Sequence, residues 1–236
     1  MDFSLIVLFF IVSAGIVRAE FLENWMYDRL LPYSMAHMSA VSYESNLLLF
    51  NGSNALSSSH DEILIATQSG SLGNLSSWIW NSKTPEKLIY QNVVRKDNDF
   101  YSVGGFYDQM YGLWKSTNSV NHGKIDNLFF DHWDPQFLLP EKLALGKATI
   151  IGDWLYYAGG FTSYSITSNW KNEIYKAKIN SDGSLGIWSL AGTLPEPMCC
   201  FGIASKQNNL IIFIEMPVLF LNSHNVLNIK IFNRFF

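Results

Sequence analysis

One spacing recurs four times along this chain: a Trp, six positions later a Leu or Thr, and then at once a Pro. The copies are Trp25/Leu31/Pro32, Trp78/Thr84/Pro85, Trp133/Leu139/Pro140 and Trp188/Leu194/Pro195, with Trp-to-Trp steps of 53, 55 and 55 residues. A fixed period of that size belongs to stacked or radial repeat architectures, where each unit buries its apolar face against its neighbours. It constrains shape far more than task, because function resides in loops grafted onto a scaffold.

The third copy displays the unit best. Lys147 to Ile151 and Trp154 to Ala158 are apolar runs parted by Gly152-Asp153, a two-residue hairpin signal, and Gly159-Gly160 closes the pair. Glu173 to Ile179 alternates as a third strand, Asn180 to Gly183 turns the chain, and Leu185 to Leu190 carries Trp188 on a fourth. In the second copy the strands fall at Tyr90 to Val94, Phe100 to Val103 before Gly104-Gly105, Leu113-Trp114-Lys115, and Phe129 to Trp133. In the first, Met38 to Tyr43 and Leu47 to Phe50 form the hairpin and Glu62 to Thr67 the third strand. Asn51-Gly52 replaces the double glycine there, and Asn is the best non-Gly occupant of a left-handed position. The fourth copy has Phe201 to Ser205, Leu210 to Ile214 and Leu227 to Phe232. Ile214-Glu215 stands where Gly-Gly belongs, Pro217 follows, and no further Trp appears before Phe236.

Four short antiparallel strands per ~50 residues is the pattern of a β-propeller blade. The expected fold is all-β, with about four four-stranded blades at 36–81, 89–136, 146–191 and, partial and degenerate, 200–236. Residues 22–32, with Trp25, read as an outer strand with no inner strands before it. Such a strand completes a final blade by pairing with Leu227 to Phe232, which would cover an exposed sheet edge. Pro217 and the lost Gly-Gly disturb that blade and favour an open, incomplete ring. A shortened chain and a true four-bladed ring with a degenerate last blade both stay open at this point.

A double glycine after an apolar strand, an aromatic in the next strand and a Trp in the last together resemble the kelch repeat. The residues that carry the likeness are Gly104-Gly105/Trp114/Trp133 and Gly159-Gly160/Tyr175/Trp188, and it covers 22–213. The resemblance implies a kelch-like β-propeller, a family that includes protein-binding modules, receptor ectodomains and copper oxidases similar to galactose oxidase. Within it, Gly-Gly would turn the backbone where blades converge, and Trp25, Trp78, Trp133 and Trp188 would pack between blades.

Residues 1–19 read as a secretory signal peptide. Leu5 to Val17 is an apolar core of 13 residues, too short to span a membrane, and Val17-Arg18-Ala19 precedes a cut before Glu20. The mature chain, 20–236, is then secreted, with no membrane attachment after cleavage. Its two cysteines, Cys199 and Cys200, are adjacent, so a staple between distant elements is excluded; two apolar strand residues, a vicinal bond and an interchain bond remain. The net charge of −4 and the absence of a basic stripe argue against nucleic acid. Sequons occur at Asn51 and Asn74, and Asn74, in a polar turn, is the better glycan acceptor.

No catalytic constellation, metal site or cofactor site stands out. His37, His60, His122, His132 and His224 include no pair at ligand spacing. A copper oxidase would need a Cys near a Tyr with two convergent His. A sialidase-like reading of Ser181 to Trp188 fails on its spacing and on the scarcity of arginines. The feature with functional promise is the end of the scaffold where the second-to-third loops and the inter-blade loops open together. Those loops carry Phe106, Tyr107, Phe161, Tyr164 and Trp170, which either suit contact with a protein or carbohydrate ligand or fold back to cover the ring. A binding module is therefore expected, with a carbohydrate-active hydrolase or lyase and a truncated fragment without independent function as alternatives.

Overall fold

A computed structural model describes residues 29–53, 59–69, 74–107, 115–162, 170–206, 209–215 and 227–232. Within them every regular element is a β-strand and no helix occurs. The signal segment 1–19, Trp25, Trp114, Tyr164, Pro217 and His224 lie outside the described residues.

Strands β1 (Ser39–Tyr43), β2 (Asn46–Ser53) and β3 (Ser59–Ser69) pair in sequence, and β3 also pairs with β4 (Asn74–Leu75) and β5 (Ile79–Lys83). After β6 (Leu88–Ile89) come β7 (Asn92–Lys96), β8 (Asp99–Val103), β9 (Phe106–Tyr107), β10 (Lys115–Ser116), β11 (Val120–Asp126) and β12 (Phe129–Pro135). Of these, β7-β8-β11-β12 form the second large sheet and β6-β9-β10 a small separate one. The third sheet is β13 (Lys147–Ile151), β14 (Trp154–Phe161), β15 (Trp170–Lys178) and β16 (Ser189–Thr193). The fourth holds β17 (Gly202–Lys206), β18 (Asn209–Glu215) and β19 (Leu227–Phe232). All pairs are antiparallel, in register at Phe50↔Ile63, Val103↔Val120 and Ala158↔Ile174.

The large sheets pack face on face in chain order. Leu48, Phe50, Ile63 and Ile65 of the first meet Val93, Phe100, Ile125 and Phe130 of the second. Tyr101, Val103 and Val120 meet Leu155, Tyr157 and Ala177 of the third, whose other side chains Ile151, Tyr156 and Ile174 meet Leu210 and Ile212 of the fourth. Each side chain so buried contributes about 1.5–3 kcal/mol. First strands are also tied to first strands. Val93 N–H donates to Ser39 Oγ at 2.9 Å, Asn92 Nδ2 to Gly146 O at 2.9 Å and Ser205 Oγ to Ile150 O at 3.0 Å.

The end of each second strand has one backbone shape in three sheets. The φ values are 54° and 117° at Asn51-Gly52, 60° and 119° at Gly104-Gly105, and 59° and 106° at Gly159-Gly160. A Cβ on Gly104 would lie 2.5 Å from Leu143 O, and one on Gly159 2.5 Å from Met198 O. Asn51 fits because its amide is used: Nδ2 donates to Glu86 O at 2.8 Å, and Oδ1 accepts from Thr84 Oγ1.

Two of the repeat tryptophans, Trp133 and Trp188, sit between successive units. Trp188, 7% exposed, joins the core between the second and third sheets and donates Nε1–H to Phe137 O at 2.9 Å. Half-buried Trp133 does the same toward the first sheet, donating to Lys83 O at 3.1 Å. Trp78 lines one surface pocket with Arg29, Leu30 and Pro32, and its buried Nε1 has no partner among the described residues.

Three strand assignments need correction. The third strand of the second sheet is β11, not Leu113-Trp114-Lys115; Lys115–Ser116 belongs to the small sheet. Val120 stands 54 residues before Ile174, in step with the repeat, whereas Leu113 stands 61 before it. Trp78 and Trp188 immediately precede their outer strands and do not lie on them, since pairing starts at Ile79 and Ser189. The outer strand expected at 22–32 lies mostly outside the described residues; of it, residues 29–32 carry no strand, and Arg29 Nε donates to Leu75 O at 3.0 Å. Among the described residues β19 pairs with β18 alone, so the fourth sheet has three strands.

Candidate functional site

Just before each first strand the chain passes through one left-handed residue that is not glycine. These are His37 (φ 62°), Tyr90 (54°), Leu145 (60°) and Cys200 (60°). Their steps are 53, 55 and 55 residues, the same as those of the tryptophans. The residue before each of the first three pairs with the residue that follows the glycine pair of its own unit: Ala36 with Ser53, Ile89 with Phe106, Ala144 with Phe161. Connectors are bonded to connectors as well, Tyr90 N–H to His37 O at 3.1 Å and Cys200 N–H to Leu145 O at 3.0 Å. A left-handed L-residue costs roughly 1–2 kcal/mol, and such strain gathers where a scaffold serves a site.

The four connectors surround one cavity of about 390 Å³, whose lining includes His37, Tyr90, Gln91, Leu145, Lys147 and Cys200. Lys147 is the charged residue of the described lining, which holds no carboxylate, and its ammonium has no anionic partner among the described residues. Gln91 is 5% exposed; its Oε1 accepts from Ser102 Oγ at 2.8 Å, while its Nε2 is buried without a partner. The His37 ring lies 4.1 Å from the Tyr90 ring, and its Nδ1 is 3.1 Å from Ser53 Oγ. Burial pushes the His37 pKa down, so the imidazole is neutral at pH 7. The site thus offers a cation and an aromatic ring to one small volume, with Gln91 in its wall.

Of the two readings of the loop aromatics, an exposed cluster or rings folded back, Phe106 and Phe161 follow the second. Phe106 is 0% exposed and Phe161 is buried; the two rings pack edge to face on each other at 6.4 Å, in a cluster with Ile89 and Ala144. Both residues pair through their backbones with the residues just before the connectors, Ile89 and Ala144, and their rings are kept from solvent. Tyr107 is half-buried and donates to Glu86 Oε1, and Trp170 alone of the described four is exposed, at 48%. Asn51 is wholly buried, so a glycan there is incompatible with the packing, whereas Asn74 is exposed. His60, His122 and His132 each face an acid on separate strands, Glu62, Asp99 and the pair Asp131 and Asp134. Sequence reasoning missed Tyr90, Gln91, Leu145 and Lys147. The signal was the shared spacing of His37, Tyr90, Leu145 and Cys200, hidden because the four are chemically unlike.

No family model and no curated protein matches the chain. Among solved structures, one described as "Structure of YjhT" superposes with a TM-score of 0.61 at 12% identity, covering 77% of this chain and 57% of that one. The chain therefore spans little more than half of that neighbour, and at such identity the likeness is one of fold alone.

Proposed function

We propose that this chain is a secreted, kelch-like β-propeller that acts as a glycan-binding module through the cavity where its four units converge. One observation carries the reading: four equivalent left-handed connectors, one per unit, wall a single cavity. Radial units bring equivalent residues to one axis, and loop ends near that axis are where such scaffolds bind. The serial packing of the sheets and the repeated φ pairs at Asn51-Gly52, Gly104-Gly105 and Gly159-Gly160 support the propeller.

Two features favour a saccharide over a protein partner. The cavity is concave and small, about 390 Å³, whereas a stable protein interface takes about 800 Å² from each partner. The burial of Phe106 and Phe161 also removes most of the aromatic rim a protein would grip. Lys147 supplies a donor for hydroxyl or carboxylate oxygens, and Tyr90 supplies a ring face.

Titration of a saccharide panel by calorimetry tests this. Lys147→Gln should weaken the best ligand about ten- to a hundredfold, the worth of a charge-assisted hydrogen bond of roughly 1.5–3 kcal/mol, with no change in melting. Unchanged affinity in that variant would move the binding site elsewhere.

A further inference from the structure

We propose that Cys199 and Cys200 are a site of reversible oxidation, closing a vicinal disulfide in the wall of the central cavity. The observation is geometric. The two Sγ atoms lie 3.1 Å apart as thiols, about 1 Å beyond an S–S bond. They sit where the fourth connector meets β17, with Cys200 held left-handed at φ 60° and its N–H bonded to Leu145 O at 3.0 Å. Cys200 is exposed and lines the cavity; Cys199 is half-buried. Among the described residues no other cysteine competes for either sulfur, since the chain has two.

The chemistry balances with a low-molecular-weight disulfide such as oxidised glutathione as the oxidant. The Cys200 thiolate attacks one sulfur of that disulfide and expels one thiolate, leaving a mixed disulfide on Cys200. Cys199 then gives up its proton to solvent, attacks the Cys200 sulfur and expels the second thiolate. Two protein thiols are oxidised and one external disulfide is reduced to two thiols. Burial, with the neighbouring Cys200 sulfur, pushes the Cys199 pKa up, so the exposed Cys200 makes the first attack.

Adjacent Cα atoms across a trans peptide are about 3.8 Å apart, below the usual 4.4–6.8 Å of disulfides, so the ring is strained. Strained, exposed disulfides have high reduction potentials and are the labile ones. The bond therefore opens under mild reductant, and the cavity wall alternates between a closed ring and two thiols. The proposal stands on the sulfur pair and does not depend on any ligand.

The test is intact mass of the full chain after equilibration with oxidised glutathione, denaturation and alkylation, with and without prior reduction. The expected result is a monomer lighter by two hydrogens that takes no alkyl group until reduced, then takes two. Cys199→Ser and Cys200→Ser should each leave one thiol that ends as a stable glutathione adduct. Two freely alkylated thiols, a persistent adduct in the parent chain, or a disulfide-linked dimer would each overturn the proposal. Calorimetry of the saccharide panel on both redox forms is read separately, so loss of binding and loss of the disulfide are told apart.

Discussion

Gly152 and Gly159 share a backbone conformation, φ 58° and 59°, but not a neighbourhood. A Cβ on Gly152 meets nothing within 4 Å, while one on Gly159 falls 2.5 Å from Met198 O and 3.1 Å from the Phe201 ring. Substitution by Ala at either position incurs the left-handed penalty of roughly 1–2 kcal/mol, offset by about 0.4–1 kcal/mol from a stiffer unfolded chain. Only at Gly159 must the connector also retreat. That movement breaks the bond from Gly160 N–H to Met198 O, 2.9 Å long, and leaves buried polar groups unpaired at about 1–3 kcal/mol. Gly152→Ala should therefore lose about 0.5–1 kcal/mol and Gly159→Ala about 2–4. In urea melts this separates the midpoints at constant slope, and in thermal melts by roughly 3–12 °C for a chain of this size. Equal losses in the two variants would refute the close approach of connector to glycine pair, and with it the shared geometry of the units.

Trp188→Phe should lose about 1–2 kcal/mol because Phe137 O is left without its donor, whereas Trp78→Phe should lose less, its Nε1 having no partner to lose; comparable losses in urea would contradict this. The His37 pKa is lowered by burial, so the unfolded chain takes up the proton first. Stability should be full above about pH 6.5 and fall as pH drops below it. His37→Gln should flatten that slope in melts from pH 7.5 to 5, and an unchanged slope would clear His37 of the effect.

Much of this fold is written in residues whose physical constraint is local. Gly104-Gly105 and Gly159-Gly160 announce a left-handed backbone, and Asn51 keeps that signature by bonding its amide to the next connector. Hairpins at Gly152-Asp153 and Asp97-Asn98 are likewise set by turn residues. The third strand of the second sheet is not legible from its aromatic, Trp114, because the distance from the glycine pair to Val120 decides the pairing. Phe106 and Phe161 read as rim residues because the sequence does not reveal that backbone bridges to Ile89 and Ala144 roll both side chains inward. The cavity was least legible of all. His37, Tyr90, Leu145 and Cys200 share a φ sign and a step but no chemistry, and backbone conformation at a non-glycine residue leaves no mark in composition.

The central claim is that the units are arranged about one axis, so that the first and last connectors face each other. Sheets stacked in a line, ~10 Å apart, would put His37 and Cys200 about 30 Å from one another across four units. Around a shared cavity of about 390 Å³ they would lie across roughly 9 Å, the diameter of a sphere of that volume. The direct measurement is crosslinking of His37→Cys to Cys200 in a Cys199→Ser background with a short bis-maleimide, followed by peptide mapping of the monomer. High intramolecular yield between the two positions is the result this account predicts; modification of both thiols with no link between them would contradict it.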